Sequence, residues 1–270
     1  MVLFPMKITF LGTGTSHGVP SIDCMLNNYK QCAKDVCRLS LTDPKHARTR
    51  SSILVEYDAQ HVLVDVSADF RQQALREKIP KLDAVLITHC HADHISGIPD
   101  IRSYTAPRAE PLEFYGSLES VSVIRNSFPY VFDPNAFWGG GIPRISLTAI
   151  NGPFMLFGKS VAPLPVEHGG LTGCQGYRIG TMAYIPDLKS LRFPAQNMLA
   201  GLDLLVLNCL RETKEHSSHL VLEQSMRLAR EIRPRRCCFI HMSHDIHYQM
   251  DGKKLDAWME FSYDGLKIEV

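Results

Sequence analysis

Short apolar runs punctuate this chain, and most of them read as strands. Lys7-Ile8-Thr9-Phe10-Leu11 predicts a strand running into a glycine-rich turn, Gly12-Thr13-Gly14-Thr15-Ser16-His17-Gly18-Val19-Pro20. Residues 21–50 are polar and irregular. Ser52-Ile53-Leu54-Val55-Glu56-Tyr57 and His61-Val62-Leu63-Val64-Asp65 are β-branched runs separated by Asp58-Ala59-Gln60, which predicts a hairpin. Phe70, Ala74 and Leu75 at helical spacing predict a helix over 68–78, and Asp83-Ala84-Val85-Leu86-Ile87-Thr88 reads as a buried strand. Further strands are expected at 112–115, 145–150, 154–157, 161–166, 176–179, 182–185, 204–208 and 237–240, and helices at 117–127 and 220–232. The stretch from Phe128 to Gly141, with its aromatics, prolines and three consecutive glycines, is expected to form a loop or lid. Strands, a helix, more strands, then a helix and a strand imply an α/β fold of stacked sheets with outer helices.

Composition narrows the function classes more than it selects one. The 270 residues are 45% hydrophobic and 21% charged, as in an ordinary globular protein. With 29 basic and 28 acidic residues the net charge is +1, so no global field favours nucleic acid or a membrane surface. No run of about 18 apolar residues predicts a spanning helix, and the start Met1-Val2-Leu3-Phe4-Pro5-Met6-Lys7 lacks the pattern of a signal peptide. The cytoplasm is therefore the expected location. No repeat or linker divides the chain, which is expected to form one domain over 1–270. Of the eight cysteines, Cys90, Cys209, Cys237 and Cys238 lie in apolar surroundings and read as buried small hydrophobes. Cys24, Cys32 and Cys37 differ, because they cluster in the polar loop. Disulfides are not expected in a reducing compartment, so free thiols or metal ligands are the better readings.

The chemistry concentrates in Thr88-His89-Cys90-His91-Ala92-Asp93-His94, immediately after a buried strand. Alternate residues of an extended segment point the same way, so His89 and His91 can grip one ion together. Past the strand, Asp93 and His94 can reach a second position. Imidazole and carboxylate suit zinc, iron or manganese. Three histidines and an aspartate within six residues are improbable as unrelated surface groups.

This His-x-His-x-Asp-His run resembles the signature of the metallo-β-lactamase superfamily. The resemblance implies an αββα sandwich, two mixed sheets flanked by helices, with a dinuclear site at one edge. It also implies three later ligands, and His168, Asp187 and His241 occur in the required order, each after an expected strand. On that basis His89, His91 and His168 hold one metal, Asp93, His94 and His241 the other, and Asp187 bridges them. Within the superfamily the chain is similar to the phosphodiesterase of the carbon–phosphorus lyase pathway. The similarity rests on the stretch Gly12 to Pro20, on Arg50-Ser51-Ser52-Ile53-Leu54-Val55, on Asp69-Phe70-Arg71-Gln72-Gln73 and on His241-Met242-Ser243-His244.

Three thiolates in one loop, with His244 to close a tetrahedron, make a Cys₃His zinc site. The carbon–phosphorus lyase relatives resemble this, although their cysteines lie closer together. An empty, reduced loop is the alternative. His216-Ser217-Ser218-His219 precedes the helix expected at 220–232. In phosphodiesterases of this fold a histidine before that helix faces the phosphate, which implies His219 as proton donor, with a helix-start surface feature as the alternative. Asp65 ends a strand near the cluster and either orients a ligand histidine or is purely structural. His17 and the Gly12/Gly14 turn are placed at the pocket rim, with a structural turn the better reading.

These resemblances imply a phosphodiesterase acting on a small cyclic or linear phosphate ester, such as a ribose cyclic phosphate or a nucleotide. Hydroxide held between two divalent ions, zinc or manganese, is the expected nucleophile, and Asp93 and His219 are the expected proton carriers. Processing of tRNA 3′ ends ranks lower, because no long Lys/Arg-rich insertion is present. The same scaffold and ligands would also serve glyoxalase-type thioester hydrolysis, or a non-catalytic metal-binding or redox protein. A homodimer is the default assembly.

Overall fold

The computed structural model describes residues 5–133, 135, 141–192 and 195–270. Its strands are β1 (Lys7–Gly12), β2 (Ser52–Tyr57), β3 (Gln60–Val64), β4 (Ala84–Leu86), β5 (Leu112–Gly116), β6 (Ile145–Ala149), β7 (Phe154–Leu156), β8 (Lys159–Glu167), β9 (Gln175–Ile179), β10 (Met182–Ile185), β11 (Ser190–Leu191), β12 (Leu204–Asn208), β13 (Arg236–Ile240), β14 (Met259–Phe261) and β15 (Lys267–Glu269). They form two mixed sheets. One runs β15-β1-β2-β3-β4-β5-β6; the other runs β11-β8-β9-β10-β12-β13-β14, with β7 paired to β8.

The two-residue period of the strands builds the layers. Ile53 and Val55 of β2, Val62 and Val64 of β3, and Leu86 of β4 face Tyr184 of β10, Val206 of β12 and Ile240 of β13, so the space between the sheets fills with apolar side chains. The alternate residues face outward. Leu54, Leu63 and Val85 pack under Phe70 of the helix Phe70–Glu77 and Ile124 of the helix Leu118–Ser127. On the far side, Leu205, Leu207 and Phe239 pack against Leu222, Met226 and Ala229 of the helix Leu222–Ile232. Both sheets are buried on two faces, which gives an αββα sandwich. Burial of each large apolar side chain contributes about 1.5–3 kcal/mol.

Helix Leu222–Ile232 carries its buried residues at Leu222, Ser225, Met226, Ala229 and Ile232, one stripe of a 3.6-residue period. The Gln224 side chain accepts from Val221 N–H at 3.2 Å and closes its first turn, and Arg233 ends it in a left-handed conformation. Gly12 is required sterically: a Cβ there would lie 2.0 Å from the Arg50 carbonyl.

Three features depart from the sequence expectations. Residues 21–50 contain two short helices, Ile22–Leu26 and Val36–Leu39, around a buried cluster of Val19, Cys24, Cys32, Val36 and Cys37. Strands β11, β14 and β15, two or three residues each, lie outside the strands expected from the sequence. Of the expected lid at 128–141, Pro129–Phe132 is helical, while Pro134 and residues 136–140 lie outside the described residues.

Strands β3 and β4 run parallel, as do β10, β12 and β13. Their C-terminal ends therefore share an edge in each sheet, and the chain leaves them at Asp65, Ile87, Pro186, Cys209 and His241. Among the described residues, no helix is long and apolar enough to cross a membrane.

Candidate metal centre

His89, His91, Asp93, His94, His168, Asp187 and His241 come together at this edge. Strand β4 delivers His89. His91 is the N-cap of the helix Ala92–Ile95, whose first turn turns Asp93 and His94 toward the second sheet. β8 leads into His168, β10 into Pro186-Asp187, and β13 into His241. His89 Nε2 and His168 Nε2 lie 3.0 and 3.1 Å from His91 Nδ1. A zinc at ordinary bond lengths would set three imidazole nitrogens about 3.3 Å apart. Asp93, His94 and His241 form a second group whose donor atoms all lie within 4.8 Å of one another. Asp187 lies between the groups: Oδ2 is 3.1 Å from His94 Nε2, and Oδ1 is 3.2 Å from His241 Nε2 and 3.9 Å from His168 Nε2.

Four of the five histidines are anchored from behind through Nδ1. His89 Nδ1 lies 3.0 Å from Thr88 Oγ1, His94 Nδ1 2.8 Å from Asp65 Oδ2, and His241 Nδ1 3.1 Å from Ser51 Oγ. His168 Nδ1 donates to the Ser218 carbonyl at 3.0 Å. Each anchor turns Nε2 toward the centre, the arrangement that presents a lone pair to a cation. Asp65 also accepts from Thr88 N–H at 2.8 Å, so one buried carboxylate fixes both the strand end and His94. For Asp65 the sequence leaves an orienting and a purely structural role open, and the bond to His94 Nδ1 favours the first. Ser51, Thr88 and Ser218 lie in stretches the sequence singles out, but their partners are not legible there and no role is assigned to them.

The donor set fits a pair of divalent cations. His94 Nε2 and Asp187 Oδ2 are buried side-chain atoms that form no well-aligned hydrogen bond, although they face each other at 3.1 Å. Burial pulls His89 well below the usual imidazole range, with His94 adding to the effect, and burial lowers His241 too. Burial opposes ionisation of Asp187, but the charges of His241 and His94 outweigh it and hold its pKa well below the carboxylate range. Neutral imidazoles and ionised carboxylates are the protonation states that metal binding requires. Burial opposes charge on His94 as well, yet Asp93, Asp65 and Asp187 overcome it and hold its pKa well above 6.5. A field that favours a proton there has the sign that favours a metal cation.

His219 reaches the same centre from the far sheet. Its ring stacks on His241 with centroids 4.9 Å apart and lies edge-on to His168, and Nδ1 is 3.4 Å from Asp187 Oδ1. Burial lowers its pKa to about 3, so the ring is neutral at pH 7. His216 stands next to it, with ring centroids 5.0 Å apart. Both line a cleft of about 340 Å³, together with His17, Arg211, Ser243 and His244.

Cys24, Cys32, Cys37 and His244 form a separate donor group within 4.8 Å. His244 Nδ1 lies 3.0, 4.0 and 3.3 Å from the three sulfurs in that order. Zinc at ordinary bond lengths places nitrogen and sulfur about 3.6 Å apart, inside this range. Burial and the neighbouring thiols push Cys37 up to about 12. The Arg48 guanidinium, fully buried, donates to the carbonyls of Ser243 at 2.6 Å and Ile246 at 2.8 Å and so clamps the loop that carries both His241 and His244. Of the four cysteines expected as apolar fillers, Cys209, Cys237 and Cys238 are buried, while Cys90 is partly exposed.

Comparison with known proteins agrees with this architecture. The model of the beta-lactamase superfamily domain matches residues 60–242. The crystal structure of a diphosphatase from the PhnP family superimposes with a TM-score of 0.88 at 37% identity, covering 100% of this chain and 98% of that one. An octanoyltransferase of Porphyromonas gingivalis is 35% identical over 265 residues, which are 97% of this chain and 51% of that protein. Ribonuclease Z of a Bradyrhizobium species is 30% identical over 115 residues, 41% of this chain and 36% of that enzyme. The chain thus spans about half the length of the first of these curated relatives and matches about a third of the second. A superfamily match over residues 60–242, joined to near-complete mutual coverage of a 37% identical structure, places the chain among the metallo-β-lactamase-fold hydrolases, in the PhnP family of the beta-lactamase superfamily.

Proposed function

We propose that the chain is a dinuclear metal-dependent hydrolase of a small disubstituted phosphate, a cyclic or linear phosphate ester or a diphosphate. The observation that carries the reading is the convergence of two donor groups on Asp187 with a neutral imidazole, His219, stacked beside them. His89, His91 and His168 would hold one ion, Asp93, His94 and His241 the other, and Asp187 would bridge. Zinc or manganese suits these ligands. Ions so held supply Lewis-acid stabilisation of phosphate oxygens and acidify water. The chain's own contribution is geometric and protonic. The Nδ1 anchors hold the histidines in place, Asp93 stands where it can take a proton, and His219 faces the cleft where its N–H can hydrogen-bond a leaving oxygen. The Cys₃His group is proposed as a structural zinc site that orders residues 21–50.

The full-length likeness to a PhnP-family diphosphatase supports phosphorus as the electrophile, and a diphosphate presents the same disubstituted phosphoryl group as a diester. The likeness to ribonuclease Z supports tRNA 3′ processing as a second reading, but it extends over only 41% of the chain. A cleft of about 340 Å³ suits a small substrate. The test is a panel offered to the zinc- or manganese-loaded protein: bis(p-nitrophenyl) phosphate, cyclic nucleotides, a cyclic ribose phosphate, a dinucleoside diphosphate, pre-tRNA and S-lactoylglutathione. Turnover of the small phosphates is expected. Cleavage of the thioester alone would sink the reading, and cleavage of pre-tRNA alone would select the second one.

A further inference from the structure

The hydrogen-bonding sense of His219 is set from behind by a residue outside the donor set. Asn208, the last residue of β12, is fully buried. Its Oδ1 accepts from Leu220 N–H at 2.9 Å, and its Nδ2 donates to the Pro186 carbonyl at 2.9 Å. One backbone partner can only donate and the other can only accept, so the orientation of the amide is fixed by its surroundings. The same Nδ2 lies 3.3 Å from His219 Nδ1 and has a second hydrogen to give. An N–H on His219 Nδ1 would face that hydrogen, donor against donor.

We infer that Asn208 is a positioning residue that holds His219 with Nδ1 as acceptor and the proton on Nε2, making His219 a hydrogen donor to the substrate rather than a metal ligand. The inference deepens the phosphate-hydrolase reading and rests on it for its catalytic consequence. It gives the histidines opposite assignments. His94 and His168 give Nδ1–H to acceptors and so face the centre with a lone pair, whereas His219 turns Nδ1 to a donor. Asp187 Oδ1, 3.4 Å from His219 Nδ1, would favour the reverse tautomer, but it lies nearer to His241 Nε2 at 3.2 Å. Asn208 also spans the parts that must stay in register. Its side chain holds the residue before Asp187 and the residue after His219, and its backbone pairs with Ile240, next to His241.

The test reads the tautomer directly. Long-range nitrogen–proton spectra of the zinc-loaded chain labelled with ¹⁵N-histidine should show His219, assigned by its loss in His219→Gln, protonated at Nε2. A proton on Nδ1 overturns the inference with no further variant. Asn208→Asp keeps the shape and still accepts from Leu220 N–H, but it offers His219 an acceptor in place of a donor. The tautomer should reverse, and kcat on a cyclic nucleotide, whose alkoxide leaving group needs the hydrogen bond, should fall by about 10²-fold, the usual scale for a lost donor to a developing oxyanion, with metal content and KM little changed. An Asn208→Asp protein with wild-type tautomer and kcat overturns the inference. If the variant fails to fold, the wild-type spectrum decides alone. If the wild type cleaves no phosphate ester, the functional reading fails while the spectrum still decides what Asn208 does.

Discussion

Asp65→Asn isolates the orienting role of a residue that reaches no metal position itself. The carboxylate accepts from Thr88 N–H at 2.8 Å, from Thr88 Oγ1 and from His94 Nδ1 at 2.8 Å, all within a fully buried site. The amide has one acceptor oxygen for these partners. If that oxygen stays with Thr88 N–H, the NH₂ faces His94 Nδ1, and His94 must move its proton to Nε2, the atom aimed at Asp93 and Asp187. If it turns to His94, Thr88 N–H is orphaned. Either way one charge-assisted hydrogen bond is lost, about 1.5–3 kcal/mol. At 1.4 kcal/mol per decade that is a weakening of about 10- to 150-fold, and orienting partners of metal ligands elsewhere cost about 10- to 100-fold. The assay is competition for zinc against a chromophoric chelator, with circular dichroism to confirm the fold. The ion held by Asp93, His94 and His241 should be lost first, while the group of His89, His91 and His168 keeps its own. A variant that binds both ions with wild-type affinity would refute the reasoning.

Three further outcomes are expected. His219→Ala should retain its metal content by elemental analysis and lose about 10²- to 10⁴-fold in kcat; unchanged kcat removes His219 from the chemistry. Cys37→Ser should lower zinc content by one ion per chain and the melting temperature with it, whereas an unaltered zinc count strikes Cys37 from that site. Metal-stripped protein should lose stability from pH 7 to pH 5. Burial holds His89, His219 and His241 below 6.5, so the unfolded chain takes up protons first and stability falls as the pH drops below about 6.5. His94 has the opposite sign: its stabilisation is fully present below about 6.5 and is lost only as pH rises through its raised value. Calorimetry showing a melting temperature that rises over that acid step would contradict the assignment.

Legibility in the sequence followed locality. His89, His91, Asp93 and His94 sit within six residues after a clear strand, and the later donors also end strands whose apolar runs are unmistakable. The layers were legible for the same reason, since β2, β3 and β12 alternate between two cores. What was hidden depends on distant partners. Ser51 meets His241 across 190 residues, and Asn208 looks like the polar end of an apolar strand until Pro186 and His219 surround it. Residues 21–50 carry no periodic pattern because their short helices are shaped around thiols that converge on His244, more than 200 residues away. Strands β14 and β15 owe their existence to neighbours β13 and β1 rather than to their own three-residue patterns.

The Cys₃His group and the metal centre are mechanically joined, and backbone strain explains why. Asp65 and His241 both leave their strands in the left-handed region, φ 64° and 62°, without being glycine. Such conformations cost about 1–3 kcal/mol each and persist only where the surroundings over-determine them. Asp65 is held by Thr88 and His94. The His241 side chain meets Ser51 at Nδ1 and Asp187 at Nε2, and its turn is further fixed by the residues that come after it in the chain. Met242 N–H bonds to the Thr13 carbonyl at 2.9 Å, Arg48 clamps Ser243 and Ile246, and the three thiols gather on His244. A glycine at 241 would relieve the strain and remove the imidazole. Keeping a histidine there requires a scaffold stiff enough to bend it, and the buried Arg48, the close-packed turn at Gly12 and Gly14, and the cysteine segment together provide that stiffness on the side of the centre where no regular strand continues.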